Sequence, residues 1–292
     1  MRRTLIILII ILAFSAGCAD DSEFVNKETI TITSITEAVC DVFMKPDIFS
    51  EKAGQCLFNE RVEITEEHDK WLKIKNDRVS GFIMKACTTS DEYFINEINY
   101  KQKIVVTGRQ QYIYSNKDKS IILKKVRMGT VLYSKNRVEN LYEVDLPGKI
   151  KGWIMNKDII VIKPDEEIHK TTAYDLAGTT KRLKGVKYIE KGISTSGIDN
   201  TGFIKICLFL NGINWDGNIK SLEKYEKVKE DYKAGDILYI SNIYNKDFYE
   251  LAIYLENDEF ILASKRKGYV TLERTENLLF TERIEYAIRV LD

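Results

Sequence analysis

The sequence predicts two small all-β barrels followed by an α+β domain, and three observations carry that prediction. β-branched and aromatic residues alternate with polar ones from about residue 34 to 163. One strand–turn pattern occurs twice in that stretch, and beyond about residue 171 the texture changes to mixed helix and strand. The length of 292 residues suits two or three domains. Charged residues make up 30% and hydrophobic residues 44%, which supports ordinary cores and excludes wholesale disorder. Lys+Arg and Asp+Glu are equal at 44 each, so no nucleic acid partner is expected. The two histidines, His68 and His169, restrict zinc chemistry and every mechanism that needs a histidine base.

Residues 1–17 read as a targeting segment. Arg2 and Arg3 make a positive start, residues 5–14 are an apolar run of ten, and small residues follow. That run is too short to span a bilayer comfortably. Cys18 directly after Ser15, Ala16 and Gly17 resembles a lipobox, in which cleavage exposes a cysteine that is then acylated; Ser15 departs from the aliphatic residue usual there. The expectation is an exported lipoprotein of the bacterial cell envelope, held to a membrane through lipid on Cys18, with an ordinary secretory leader as the alternative. Loss of Arg2 and Arg3 with the leader leaves 42 basic against 44 acidic residues, a formal charge of −2. Residues 18–33 are polar and acidic and read as a tether. With Cys18 committed to lipid, Cys40, Cys56, Cys87 and Cys207 remain, at spacings that match no metal pattern. Cys40, Cys56 and Cys87 fall in one small domain, where one disulfide and buried free thiols both stay open.

The repeat defines the barrels. Its first copy, within residues 34–90, has Val62, Trp71 to Ile74 and Gly81 to Met84; its second, within residues 91–163, has Val131, Leu141 to Val144 and Gly152 to Met155. The spacings differ by one residue. These residues resemble bacterial Src-homology-3-like domains, and the resemblance implies that they bind or position cell-wall peptide. His68 sits in a charged hairpin turn, and His169 in a proline- and acid-rich boundary around residues 163–172; both read as solvated.

Residues 164–292 form the third unit. A helix is expected over 172–183, a buried helix over 201–210, and strands over 233–240, 250–255 and 259–264. Lys187 to Gly192 stand where a P-Y-x-W-G-G-like turn would stand, and Gly197 to Phe203 where G-x-D-C-S-G-F would. Ala234 to Tyr239 match P-G-D-L-x-F, Tyr249 to Leu255 match H-V-A-I-Y-L, and Phe260 to Ser264 match F-I-H-A-S. In this order the motifs resemble the NlpC-type papain-like cell-wall endopeptidase family.

The resemblance implies a cysteine nucleophile at a helix start, a histidine base and a polar group that orients the base. Asn200, Glu250 and Leu262 occupy those three positions. Asparagine supplies no thiolate and favours a helix N-cap, and leucine forms no hydrogen bond. Cys207 lies seven residues after Asn200, roughly 10 Å along a helix, within an apolar run that makes it a buried, inert thiol. Asn200 with Glu250 lacks the acid and base pair of a carboxylate hydrolase. The reading is therefore a catalytically degenerate domain that binds peptidoglycan stem peptide, or scaffolds an envelope complex, without hydrolysis. Asp199, Tyr188, Thr201 and Glu250 are its expected ligand residues, Asp199 through a free amine; no cofactor and no metal are expected. The alternatives are an active endopeptidase with non-standard residues and a purely structural envelope protein.

Overall fold

Strand pairing in the first unit follows from alternation. In the computed structural model, which describes residues 31–90, 100–146, 150–245 and 249–292, seven strands make one sheet. They are β1 (Thr31–Ile35), β2 (Val39–Phe43), β3 (Lys52–Leu57), β4 (Arg61–Glu67), β5 (Trp71–Lys75), β6 (Ser80–Met84) and β7 (Thr88–Thr89), in the order β3-β2-β6-β5-β4-β1-β7. Inward positions Val42, Val62, Leu72, Ile74 and Ile83 form its core. His68 lies in the β4–β5 turn, its backbone N–H donating to Trp71 O at 2.9 Å and its ring 3.3 Å from Glu66. β1 already begins at Thr31, so the polar tether expected as far as residue 33 ends sooner.

The second unit repeats the first strand for strand. β8 (Gln102–Val106), β9 (Gln110–Tyr114), β10 (Ile122–Arg127), β11 (Val131–Val138), β12 (Leu141–Leu146), β13 (Ile150–Met155) and β14 (Ile159–Ile162) take the order β10-β9-β13-β12-β11-β8-β14. The register repeats too: Trp71 faces Met84 and Ile74 faces Gly81, as Leu141 faces Met155 and Val144 faces Gly152. Gly81 admits no side chain, since a Cβ there would lie 2.5 Å from Phe43 O. The expectation of closed barrels is not met. Each order ends on two strands, β3 with β7 and β10 with β14, that do not pair with one another among the described residues. The edge strand β7 has two residues, too few to carry a seam of hydrogen bonds back to β3.

The third unit begins with α1 (Ala173–Lys181), capped reciprocally by Thr172 and Asp175. After the short hairpin β15 (Ile193–Ser194) and β16 (Gly197–Ile198) comes α2 (Asn200–Leu210). β17 (Glu226–Val228), β18 (Ile237–Asn242), β19 (Tyr249–Tyr254), β20 (Glu259–Ser264), β21 (Tyr269–Arg274) and β22 (Glu282–Arg289) form an antiparallel sheet of order β17-β22-β18-β19-β20-β21. Leu251, Ile253, Ile261 and Ala263 pack with Phe203, Ile204, Cys207 and Leu208 of α2. The opposite face carries Leu238, Ile240, Ala252, Tyr254, Phe260 and Leu262. The sheet is thus buried on both faces, which explains the nearly continuous apolar runs of β19 and β20. His169 is exposed, in the segment between the second and third units.

The units interlock. Phe58 of the first is buried in the core of the second, and Val105 and Met128 of the second join the core of the third. Within the third unit Asp236, 1% exposed, is held by Arg289 through Nε at 2.9 Å and Nη2 at 2.7 Å, and by Lys233 N–H at 2.8 Å. This two-point pair ties the start of β18 to the end of β22. Asp236→Ala takes from the Arg289 guanidinium its two shortest bonds at a largely buried site, leaving only Glu226 at 3.9 Å and Asp231 O at 3.4 Å. We expect a loss of about 3–5 kcal/mol in unfolding of the third unit, read by urea titration followed by tryptophan fluorescence at Trp215; a loss under about 1 kcal/mol would show that solvent takes over the pairing.

Candidate functional site

The start of α2 is fixed by a cap. Asp199 sits in extended backbone (φ −93, ψ −178), and its Oδ1 accepts from Gly202 N–H at 2.6 Å. Its Oδ2 accepts from Lys191 N–H at 3.0 Å, joining the helix start to the 187–192 turn. Sequence reasoning placed the cap on Asn200; the cap is Asp199, and Asn200 is the first helical residue. The fit is close. A Cβ on Gly202 would stand 2.2 Å from Gly192 O, so only glycine allows the helix to meet the turn.

One position further on, Asn200 points into a gap between two strands. β19 and β20 pair at Ile253 with Ile261 and at Tyr254 with Phe260, then part. The Asn200 amide fills the parting: its Oδ1 accepts from Leu251 N–H at 2.8 Å, and its Nδ2 donates to Leu251 O at 2.8 Å and to Ala263 O at 3.4 Å. It stands in for the missing stretch of ladder, with both polar atoms engaged.

Glu250 and Leu262 adjoin those same two backbone partners. Glu250 lines a cavity of about 10 Å³ with Leu262, Ser264, Arg266, Glu273 and Glu282, no more than about one water molecule in size. Burial pushes its carboxyl up, Glu282 and Glu273 add to the shift, and a Lys265 backbone hydrogen bond and Arg266 oppose it. Leu262 is 3% exposed in the apolar cluster on the face away from α2. The three positions therefore gather at one strand gap, but the Asn200 amide is not among the groups that line the cavity.

The other expected residues divide. Tyr188 donates its hydroxyl to Glu190 at 3.4 Å. Burial pushes that phenol up, and the charges of Glu190, Asp199 and Glu250 push it further, so three carboxylates surround one ring. Lys265 balances Glu190 at 3.0 Å. Thr201 is exposed. Cys207 is fully buried in the α2 face turned to the sheet, and burial pushes its thiol up, away from thiolate.

A much larger opening lies elsewhere along α2. A groove of about 590 Å³ runs between the first two units and α2, a volume in the range of small-ligand sites. Leu57, Ile206 and Phe209 give it apolar walls, and Glu60, Arg78, Lys205 and Asp216 give it charge of both signs. Burial lowers the Lys205 ammonium, whose Nζ donates to Asp216 O at 2.7 Å. Arg78 and Glu60 form an ion pair. Asp199 acts electrostatically on both Lys205 and Tyr188, so the groove and the acidic rim meet at the helix cap. Sequence reasoning did not single out these groove residues. They come from three separate stretches of chain, and the one local signal was the turn chemistry of Trp215, Asp216, Gly217 and Asn218.

Residues 185–289 match the NlpC/P60 family. That match lies within the C-terminal domain. A gamma-D-glutamyl-L-lysine dipeptidyl-peptidase of Bacillus cereus (strain ATCC 10987 / NRS 248) is 23% identical over 230 residues, 75% of this chain and 69% of that protein. A probable endopeptidase of Haemophilus influenzae is 29% identical over 89 residues, 30% of this chain and 55% of its own length. Among solved structures, an NlpC/P60 family protein from Bacillus cereus ATCC 10987 superposes with a TM-score of 0.76 at 18% identity, covering 89% of this chain and 100% of that one. An NlpC/P60 endopeptidase from Photobacterium damselae subsp. piscicida gives a TM-score of 0.58 at 10% identity, with 89% and 70% covered. Such identities speak for the fold, and the first likeness extends over the two N-terminal sheets as well as the NlpC/P60 domain.

Glu250 gives the site a pH signature. Its folded carboxyl titrates above its unfolded value of about 4.3, so ionisation works against the folded state. That penalty is absent below the unfolded value, grows as pH rises through the folded value, and is full above it. Glu250→Gln removes it. We expect the variant to be the more stable at pH 7.5 and the difference to vanish as pH approaches about 4, measured by paired urea unfolding curves. A difference independent of pH would assign the effect to packing instead of ionisation.

Proposed function

We propose that this protein is an envelope lipoprotein whose NlpC/P60 domain binds peptidoglycan stem peptide without cleaving it. The observation that carries the reading is the Asn200 amide, at the position the family resemblance gives to the nucleophile, with both polar atoms committed to backbone. Cysteine-peptidase chemistry needs a thiolate, a base and a group to orient the base. Asn200, Glu250 and Leu262 supply none of these in usable form, and Cys207 is sealed in the core. Relatives named as a dipeptidyl-peptidase and a probable endopeptidase give the substrate class by analogy.

Binding requires no nucleophile. A stem peptide carries a free amine and carboxylates. The Tyr188, Glu190, Asp199 and Glu250 rim is acidic and suits the ammonium, with Asp199 acting through its charge while it caps α2. The groove offers Lys205 and Arg78 to carboxylates. The two N-terminal sheets are, in this reading, open members of the bacterial Src-homology-3-like class, supported by their matched strand order and register.

Two measurements test the reading. Purified wall fragments should release no dipeptide, while calorimetry with a free-amine stem peptide should give a Kd of ~10 μM to 1 mM. Lys205→Gln should weaken that binding about tenfold, and Cys207→Ser should alter neither result. Turnover abolished by Cys207→Ser would restore an active endopeptidase, and absence of binding to every wall peptide would favour a structural role. Cys18 and the leader lie outside the described residues. Mass spectrometry of the mature N-terminus should find diacylated or triacylated Cys18 as the first residue; an unmodified Cys18, or a start elsewhere, overturns the anchor.

A further inference from the structure

Three cysteines meet in the first unit, and their geometry distinguishes them. Cys40 in β2 and Cys56 in β3 are register partners, so both side chains enter the same core. Cys87 closes the short turn Lys85–Cys87 and packs against that core from its edge. Its carbonyl accepts from Thr36 N–H at 2.9 Å, which holds it beside the chain leading into β2. The Cys40 and Cys87 thiols are neighbours, each the strongest influence on the other, and the Cys40 thiol itself donates to Asp41 O at 3.8 Å. Cys56 is engaged elsewhere, its thiol hydrogen-bonded to Glu60. Exposure separates them further: Cys40 is 6% and Cys56 0% exposed, whereas Cys87 is partly open to solvent.

We propose that Cys40 and Cys87 are a disulfide-forming pair, closed by exchange with a small-molecule disulfide, and that the bond staples the last strand of the first unit to its core. Cys87 is the entry point. Cys40 beside it, and less strongly Lys124, lower its thiol to about 7 against burial and Glu37, which brings the thiolate within reach at neutral pH. The Cys87 thiolate attacks the small disulfide RS–SR, forming a mixed disulfide and releasing one RS⁻. Cys40, losing its proton, then attacks the Cys87 sulfur and expels the second RS⁻. Both thiolates leave as RSH with the two protons from Cys40 and Cys87, and the small disulfide takes up the two electrons. Cys56 has no route in this sequence, because it is closed to solvent and its thiol is turned to Glu60.

The staple bears on the site as well as on the first unit. Asp41, next to Cys40, accepts from Gln55 Nε2 at 2.8 Å, and Gln55 Oε1 accepts from Ile193 N–H at 3.1 Å. That relay is a direct polar link from β2 and β3 to β15, the strand that follows the turn meeting the α2 cap. Fixing Cys40 to Cys87 stiffens the first-unit end of the link. The inference does not depend on peptide binding or on the lipid anchor.

The test is incubation of the reduced full chain with oxidised glutathione, then alkylation, peptide mapping and thermal unfolding. A linked peptide joining Cys40 to Cys87 is expected, with free Cys56 and Cys207 and a Tm higher by about 5 °C or more. Cys87→Ser should abolish the link and leave Cys40 reduced. Cys40→Ser and Cys40→Ala should each trap a glutathione adduct on Cys87, so that a folding defect in one variant does not decide the matter. Cys56→Ser should still form the link. A Cys40–Cys56 link, a stable adduct on Cys87 in the unsubstituted chain, or four thiols still reduced would each overturn the proposal.

Discussion

The Asn200 amide is the contact on which the third unit depends. Two antiparallel strands that part leave unpaired N–H and C=O groups in the interior, and such groups are costly to bury. A primary amide presents one acceptor and two donors at nearly peptide spacing, which is what Leu251 and Ala263 require. No thiol or hydroxyl offers the same set. The residue that completes the sheet here is therefore a poor nucleophile for the same reason that it is a good wedge. Sealing the gap and reacting from it are alternative uses of one position, and the Asn200 amide is engaged in the first.

Much else follows from that anchor. α2 is apolar on nearly every side because it lies between the sheet and the N-terminal units, with Phe203, Ile204 and Cys207 toward the sheet and Ile206 and Phe209 toward the groove. A helix so buried offers its N-terminus as the natural polar end. Asp199 takes it with two backbone hydrogen bonds, which favour its charged form, while burial raises its pKa overall. Glu250 is different: it is a half-buried carboxylate among other carboxylates, with Arg266 as its opposing cation. The neighbouring carboxylates add to what burial already costs its charged form.

How much of this is legible in the sequence depends on the range of the interactions. The repeat of the two sheets is legible because alternation and glycine position are local, and Trp71, Ile74, Gly81 and Met84 share the register of Leu141, Val144, Gly152 and Met155. The buried helix after Asp199 is legible from its apolar run. Closure of the sheets is not, because it depends on how far a two-residue edge strand reaches. The cap was misplaced by one residue because aspartate and asparagine are nearly equal cap formers. What decides between them is the strand gap, more than fifty residues away in sequence. The groove is the least legible feature, since the Glu60–Arg78 pair of the first unit meets Lys205 of the third only when the units dock.

That docking has a mechanical consequence for the groove. Units joined by flexible linkers would lose a groove between them whenever they separated, and a ligand would have to restore the arrangement at its own expense in binding energy. Here the joints are interior contacts. Phe58 sits in the core of the neighbouring unit, Asn59 Nδ2 donates to Val131 O at 2.9 Å, and the third core takes in Val105 and Met128. Separating the units would expose these side chains and strand the amide, so the groove walls are held by the same forces that hold each core. A preformed, amphipathic groove beside an acidic helix cap needs only side-chain adjustment to take a peptide. The fold thus sets a preformed groove beside a helix start whose first residue, Asn200, holds the sheet together.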